Sequence, residues 1–235
     1  MTNGCRYVML VTSLPAHGPI FSARQTPLSR IRLDERLGML EPEDAIQLRL
    51  VESALRWERI TPTDSDESLY MQSMATLRSV ENPFLRETIR DRLELRTLMA
   101  ALRRRRLGDP PPDARERWGF GRWTDLIRRN WTDPVFRLQR VFPWATEANR
   151  LLSADNWIEL EELLLGQVWE DLGRRGEGHY FDFEAVAIYV LRWSLVARWT
   201  GFDAEGASIR FNGLVEQAMD ERIDRALDDR LALLN

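Results

Sequence analysis

The sequence predicts a mostly α-helical protein, and three observations lead to this expectation. Beyond the first 30 residues, apolar side chains recur mostly with the spacing of one helix face. Proline and Asx residues stand at the starts of these segments, where a first helical turn accepts them. Only Tyr7–Leu14 is rich in β-branched and aromatic residues. We therefore expect lobes of packed helices, with either a short strand or a short buried helix at Tyr7–Leu14.

Composition excludes several kinds of site. The chain has 235 residues, a net charge of −4 and one cysteine, Cys5. It contains no lysine, so all 33 basic residues are arginine. A disulfide framework, a thiolate metal cluster, a P-loop lysine and a Schiff-base lysine are therefore ruled out. We expect no cofactor.

Neither of the two longest apolar segments is typical of a membrane span. Tyr7–Leu14 is short and lacks the basic leader and cleavage site of a signal peptide. Phe183–Trp199 carries Glu184, Arg192 and Arg198, whereas a span needs about 20 mostly uncharged residues. We expect a cytoplasmic protein with no transmembrane segment.

Helix signals in the first half end at a clear boundary. Pro42 with two acidic residues after it predicts a helix to about Arg59. Asn82-Pro83 predicts the start of a long helix, which ends near Leu107. The segment Gly108–Pro112 holds three prolines and cannot continue that helix. It divides the chain into helical lobes 1–108 and 109–235, or marks a bend in one continuous domain.

The second half contains four further helix signals, each opened by a polar residue. We expect helices from Asp133-Pro134 through Phe142, from Ser153 to near Gly173, over Phe183–Trp199 with Asp182 as its cap, and from about Ser208 to Leu234.

Candidate catalytic and metal-binding residues are few, and we predict no catalytic and no metal site. His17 and His179 have no second histidine or cysteine within helical range. His179 is a general base in one interpretation and an exposed or capping histidine in the favoured one. Asp220, Asp224 and Asp228 share a helix face that a divalent cation could bridge, but a solvated charged face is the stronger interpretation.

The arginine run Arg103–Arg106 has three interpretations. It complements the dipole of its own helix, or docks an acidic protein partner, or grips phosphates. Because the whole chain is acidic, we expect no nucleic acid partner. Nine tryptophans also exceed the usual number, and Trp and Arg carry much of the binding energy at protein interfaces. The candidate partner-contact residues are Arg96, Arg103, Arg104, Arg105, Arg106, Trp193 and Trp199.

Two helical segments of the chain echo each other without gaps. The first is Leu95-Arg96 with Met99-Ala100-Ala101, and the second is Leu191-Arg192 with Leu195-Val196-Ala197. Leucine and alanine are common in helices, so we interpret the echo as coincidence rather than as a repeat.

Three segments together resemble a known family. Leu95–Arg103 resembles a helix in the C-type central-stalk subunits of V/A-type rotary ATPases, although Thr97 stands where that helix commonly has asparagine. Tyr7–Pro15 and Phe181–Arg192 resemble segments of a divergent bacterial group placed beside those subunits. Typical members are longer and have three helical lobes, against the two expected here.

The resemblance implies a non-catalytic subunit. Such subunits are similar to a helical funnel that sits on the membrane ring and receives the rotor shaft of a proton- or sodium-translocating ATPase. The partners implied are those two parts of the complex, with the chain peripheral to the membrane. Two alternatives remain open: a helical regulatory or adaptor protein that binds another protein, and a carboxylate-dependent metal enzyme that uses Asp220–Asp228.

Overall fold

The computed structural model describes residues 6–55 and 66–201, with side chains from residue 70 in the second range, and every regular element in these ranges is a helix. The predicted all-α class is therefore confirmed. The helices are α1 (Val8–Ser13), a 3₁₀ turn (Ile20–Ser22), α2 (Arg30–Leu37), α3 (Pro42–Leu55), α4 (Asp66–Ser79), α5 (Pro83–Arg106), α6 (Thr124–Arg129), α7 (Ala145–Ser153), α8 (Trp157–Arg175) and α9 (183–201). The predicted helix Ser208–Leu234 lies outside the described residues.

The N-terminal segment forms a helix, so the strand alternative for Tyr7–Leu14 is wrong. The amide of Val11 donates to the carbonyl of Tyr7 at 2.9 Å, which opens α1. Tyr7 and Leu10 are buried while Val8 and Met9 are exposed. Burial therefore recurs with helical spacing, although the residue types themselves also suit a strand.

Helix α5 begins and ends where local chemistry predicts. Asn82 Oδ1 accepts the amide hydrogen of Leu85 at 3.1 Å, and Pro83 occupies the first turn. At the other end, Gly108 takes a φ of 84°. Its amide donates to the Arg105 carbonyl, and the amide of Asp109 donates to that of Arg104. This pair of bonds is a Schellman motif, which needs a residue that adopts the left-handed region easily.

Two predicted helix starts in the second half are wrong. Asp133 Oδ1 accepts the amides of Val135 and Arg137, each at 3.0 Å, and so closes a turn. Phe136 and Arg137 both have positive φ there, which a helix does not allow. The helix predicted from Ser153 starts at Trp157 instead, because Ser153 ends α7 and Asn156 Oδ1 accepts the amide of Glu159. Asp182 caps α9 as predicted, through the amide of Ala185 at 2.9 Å.

Buried residues from Tyr7 to Trp199 belong to one hydrophobic cluster. Helix α5 contributes many buried residues, since half of its 24 residues are buried. The N-terminal segment packs against the start of α9, since the amide of Tyr7 donates at 2.7 Å to the carbonyl of Phe181, just before that helix. The division of the chain at Gly108 stays a prediction.

Among the described helices, none combines the length and apolar character that crossing a bilayer requires.

Candidate functional site

The candidate site is centred on the arginines of α5. At the C-terminal end of this helix, three successive guanidinium groups bind three different parts of the segment 109–157. Arg104 binds the carboxylate of Glu116 at 3.2 Å. Arg105 donates to the Asp133 carbonyl at 2.8 Å and to Asn149 Oδ1 at 3.0 Å.

Arg106 completes this set. Both oxygens of Asp155 lie 2.7 Å from its Nη2, and its guanidinium lies 5.6 Å from the centre of the Trp157 ring. Exposed ion pairs of this kind contribute little stability one at a time. Their effect here is positional, because they hold the segment after Gly108 against the helix before it. Arg103, on the same helix, is also exposed.

Arg96 lies deeper along α5 and ties it to α3. Its Nη1 donates to the Ala54 carbonyl at 3.1 Å, and its Nη2 donates to the Leu55 carbonyl at 3.0 Å. Both carbonyls belong to α3, so one guanidinium binds the backbone of two adjacent residues of that helix. Burial lowers the pKa of Arg96 to about 10, so the guanidinium remains charged at neutral pH.

Arg192 on α9 makes the same kind of bond at the position that the sequence echo pairs with Arg96. Its Nη2 donates to the Trp169 carbonyl at 3.3 Å, and its guanidinium lies 4.5 Å from the centre of that tryptophan ring. Burial lowers the pKa of Arg192. In both echo segments, an arginine therefore binds the backbone of a neighbouring helix.

The two tryptophans proposed as partner contacts make internal contacts. Trp193 Nε1 donates to the Leu28 carbonyl at 2.9 Å, and Arg30 lies over its ring. Trp199 is buried, and the ring of Phe21 packs edge-on against it at 5.2 Å. Both side chains attach the segment after α1 to α9.

Glu94 is a functional candidate that the sequence analysis did not identify. This carboxylate is buried on α5, and it accepts hydrogen bonds from Trp123 Nε1 at 3.0 Å and from the Arg122 amide at 3.3 Å. The loop approaches closely because Gly119 and Gly121 lack side chains. A Cβ atom on Gly121 would lie 2.4 Å from Glu94 Cγ. The signal in the sequence was the Gly119-Phe120-Gly121 pattern, which marks a close approach to a helix.

A cleft of about 490 Å³ lies above Glu94. Three arginines and three carboxylates line it, so their formal charges cancel and neither anions nor cations are favoured. Arg175 already binds Asp91 and lies 3.6 Å from Glu87. The lining residues are Glu87, Arg90, Asp91, Glu94, Phe120, Gly121, Arg122 and Arg175.

The two histidines lie in different surroundings. His17 Nε2 donates to the Tyr189 carbonyl at 3.1 Å, and its ring stacks on that of Tyr189 with centres 4.3 Å apart. His179 Nδ1 lies 2.6 Å from Asp182 Oδ2, so it binds the residue that caps α9. Asp220, Asp224 and Asp228 lie outside the described residues.

We expect His17 to make the protein less stable in mild acid. Burial, and to a lesser extent Arg192, lower the pKa of His17 below its ordinary 6.5. The unfolded chain therefore binds this proton more readily, and the free energy of unfolding falls as the pH drops from about 6.5 towards the folded-state pKa. His17→Gln keeps a neutral donor for the Tyr189 carbonyl but does not titrate.

Urea unfolding at pH 7.5 and at pH 5.5 measures this effect. The variant should lose less stability than the wild type between the two pH values, whatever its stability at pH 7.5. The comparison cancels the other titrating groups, and equal losses in both proteins would contradict the prediction.

No protein-family model matches the chain, and no curated protein or solved structure matches it either.

Proposed function

We propose that this chain is a non-catalytic coupling subunit of a V/A-type proton- or sodium-translocating rotary ATPase. In this role it is a helical socket between the rotor shaft and the membrane ring, held at the cytoplasmic face of the membrane. The proposal comes from the three segments that resemble this family, Tyr7–Pro15, Leu95–Arg103 and Phe181–Arg192.

Two hydrogen bonds join the first and third of these segments. The first and third of these segments are far apart in the sequence, yet the Tyr7 amide donates to the Phe181 carbonyl at 2.7 Å. In addition, the Tyr189 hydroxyl donates to the Pro15 carbonyl at 2.9 Å. Two of the three matched segments therefore lie side by side in the fold, as parts of one coupling surface would.

The anchoring of the helices suits a part that transmits torque. Arg96 joins α5 to α3, and Arg192 joins α9 to α8, in each case through backbone carbonyls. Closely packed interiors are hard to compress and transmit strain. Helices that are also bound to each other by guanidinium groups resist sliding past one another, so a force applied at one end reaches the other.

A helical adaptor outside any ATPase is the second candidate. It is favoured by large apolar side chains that remain exposed, among them Met9, Ile31, Leu107 and Tyr180. Exposed apolar groups often mark protein-binding surfaces, although single ones are common on any protein.

Affinity purification of the tagged chain from its own organism, followed by mass spectrometry, separates the two candidates. We expect the nucleotide-binding subunits and the membrane-ring subunit to be recovered with it. A different protein in stoichiometric amount would favour the adaptor, and the folded chain alone would contradict both.

A charge reversal on the Leu95–Arg103 segment adds a variant to the affinity purification. Arg103 is exposed on the segment that resembles the family helix, so Arg103→Glu should lower recovery of the ATPase subunits several-fold by opposing an acidic partner surface. Arg140→Glu makes the same change at an exposed site outside the three segments and should not. Trp193→Asp is a poor test, because it breaks the internal bond to Leu28. If both charge-reversal variants recovered the ATPase subunits equally, Arg103 would not be part of the interface.

A further inference from the structure

Three potential metal ligands converge where α9 begins. One ring nitrogen of His179 and one carboxylate oxygen from each of Asp182 and Glu184 lie within 4.8 Å of one another. All three residues are half-buried, so the cluster has one side against the protein and one side open to solvent. The charge-balanced cleft above Glu94 lies elsewhere and shares none of these residues.

Hydrogen bonds from outside the cluster orient its two carboxylates. Asp182 Oδ1 accepts the amide of Ala185 at 2.9 Å, which leaves Oδ2 directed at His179. Glu184 Oε1 accepts Nδ2 of Asn82 at 2.8 Å, and Asn82 is itself fixed as the cap of α5. Such supporting bonds reduce the side-chain freedom that a bound ion would otherwise have to restrict.

We propose that His179, Asp182 and Glu184 bind a divalent transition-metal ion of the Zn²⁺ class. An imidazole nitrogen with two carboxylate oxygens suits Zn²⁺ better than Mg²⁺ or Ca²⁺, which prefer oxygen ligands alone. The two carboxylates bring a charge of −2, which outweighs the roughly +0.5 charge at the N-terminus of α9. The electrostatic balance at the cluster therefore favours a cation.

The geometry requires only side-chain movements. A tetrahedral ion with bonds of about 2.0–2.2 Å places its ligand atoms about 3.3–3.5 Å apart. His179 Nδ1 and Asp182 Oδ2 lie 2.6 Å apart in a hydrogen bond that the ion replaces, and they separate by less than about 1 Å. Any wider pair closes by less than about 1.5 Å from the 4.8 Å limit. Water on the open side supplies the remaining ligand.

A bound ion would fasten three parts of the protein together. His179 belongs to the loop after α8, Asp182 and Glu184 belong to the start of α9, and Asn82 links the cluster to α5. This inference is independent of the proposed coupling function, and either can fail without the other.

Zinc titration of the untagged full-length chain tests the proposal, with calorimetry and nitrogen-15 spectra of the histidine rings as readouts. The chain has only two histidines, so His17 is an internal reference. We expect one Zn²⁺ per chain, with the signals of His179 shifted and those of His17 unchanged. Zinc affinity should fall at least about tenfold in His179→Asn and in Glu184→Gln.

Glu177→Gln is the matched control for Glu184→Gln. It removes the same negative charge, but at an exposed position in the loop that contains His179. Its affinity should equal that of the wild type. Circular dichroism checks the fold of each variant, and His179→Asn leaves the Asp182 cap in place. The proposal is overturned if the wild type binds no Zn²⁺ at about 100 µM. It is also overturned if both ligand variants bind as the wild type does, since the metal would then lie elsewhere, for example on the acidic residues Asp220–Asp228.

Discussion

Gly121→Ala should lower the free energy of unfolding by about 3 kcal/mol. The substitution combines two penalties. The φ of Gly121 is 104°, a region that side chains with a Cβ rarely adopt. The new methyl group would also lie 2.4 Å from Cγ of Glu94, whose buried carboxylate is held by Trp123 and the Arg122 amide. Since Glu94 cannot move without losing those bonds, the loop must withdraw from α5.

Substitutions at two other glycines measure the backbone penalty and the steric penalty separately. Gly108 has a positive φ of 84° but open space where a methyl group would stand, so Gly108→Ala should cost only about 1 kcal/mol. Gly119→Ala adds a close contact of 2.5 Å with Thr97 without a positive φ, and should cost about 1–3 kcal/mol. Denaturant unfolding measures all three variants. If Gly121→Ala were no less stable than Gly108→Ala, the packing of the loop against Glu94 would not be as described.

Arg96→Met should lower the free energy of unfolding by about 2 kcal/mol. Methionine can replace the apolar stem of arginine but cannot donate a hydrogen bond. The carbonyls of Ala54 and Leu55 would lose their bonds to the guanidinium at the end of α3. Removing the charge also relieves the desolvation that lowers the pKa of Arg96 to about 10, and this gain limits the loss.

Arginine-to-methionine substitutions at two other positions are the controls, and denaturant unfolding measures all three variants. Arg103→Met, two turns further along α5 and exposed, should change stability by less than about 0.5 kcal/mol. Arg192→Met removes one longer bond, 3.3 Å to the Trp169 carbonyl, and should cost about 1 kcal/mol. Unchanged stability in Arg96→Met would mean that the end of α3 does not depend on this guanidinium.

Helix boundaries set by local chemistry could be predicted from the sequence. Asn82-Pro83 begins α5 and Asp182 caps α9, because in each case a side-chain oxygen reaches an amide three residues later. The same kind of signal at Asp133-Pro134 was misleading. There the Asp133 carboxylate does accept amides, but they belong to a turn that buries Phe136 in the core. A burial requirement of this kind comes from distant residues, so a local pattern does not contain it.

The partners of the arginines could not be predicted for the same reason. Arg104, Arg105 and Arg106 are adjacent in the sequence and looked like one basic surface. The hydrogen-bond partners described above lie 12 to 49 residues away, on separate parts of the segment after Gly108. Glu94 was equally hidden, because a glutamate within a charged helix usually lies on its solvated face. Only the close approach of Gly121 reveals that this one is buried.

The contacts between the N-terminal segment and α9 also determine when, during synthesis, that segment can finish folding. The bonds from Tyr189 to Pro15 and from Trp193 to Leu28 join residues 174 and 165 positions apart. At a synthesis rate of about 5–20 residues per second, α1 leaves the ribosome roughly 10–35 s before its partner helix exists. During that interval Tyr7 and Leu10 lack the part of the core that α9 supplies, while the nearby partners of Tyr7, Asp44 and the Glu41 amide, are already present. We therefore expect chaperones that bind emerging chains to meet α1 incompletely packed until α9 has been made.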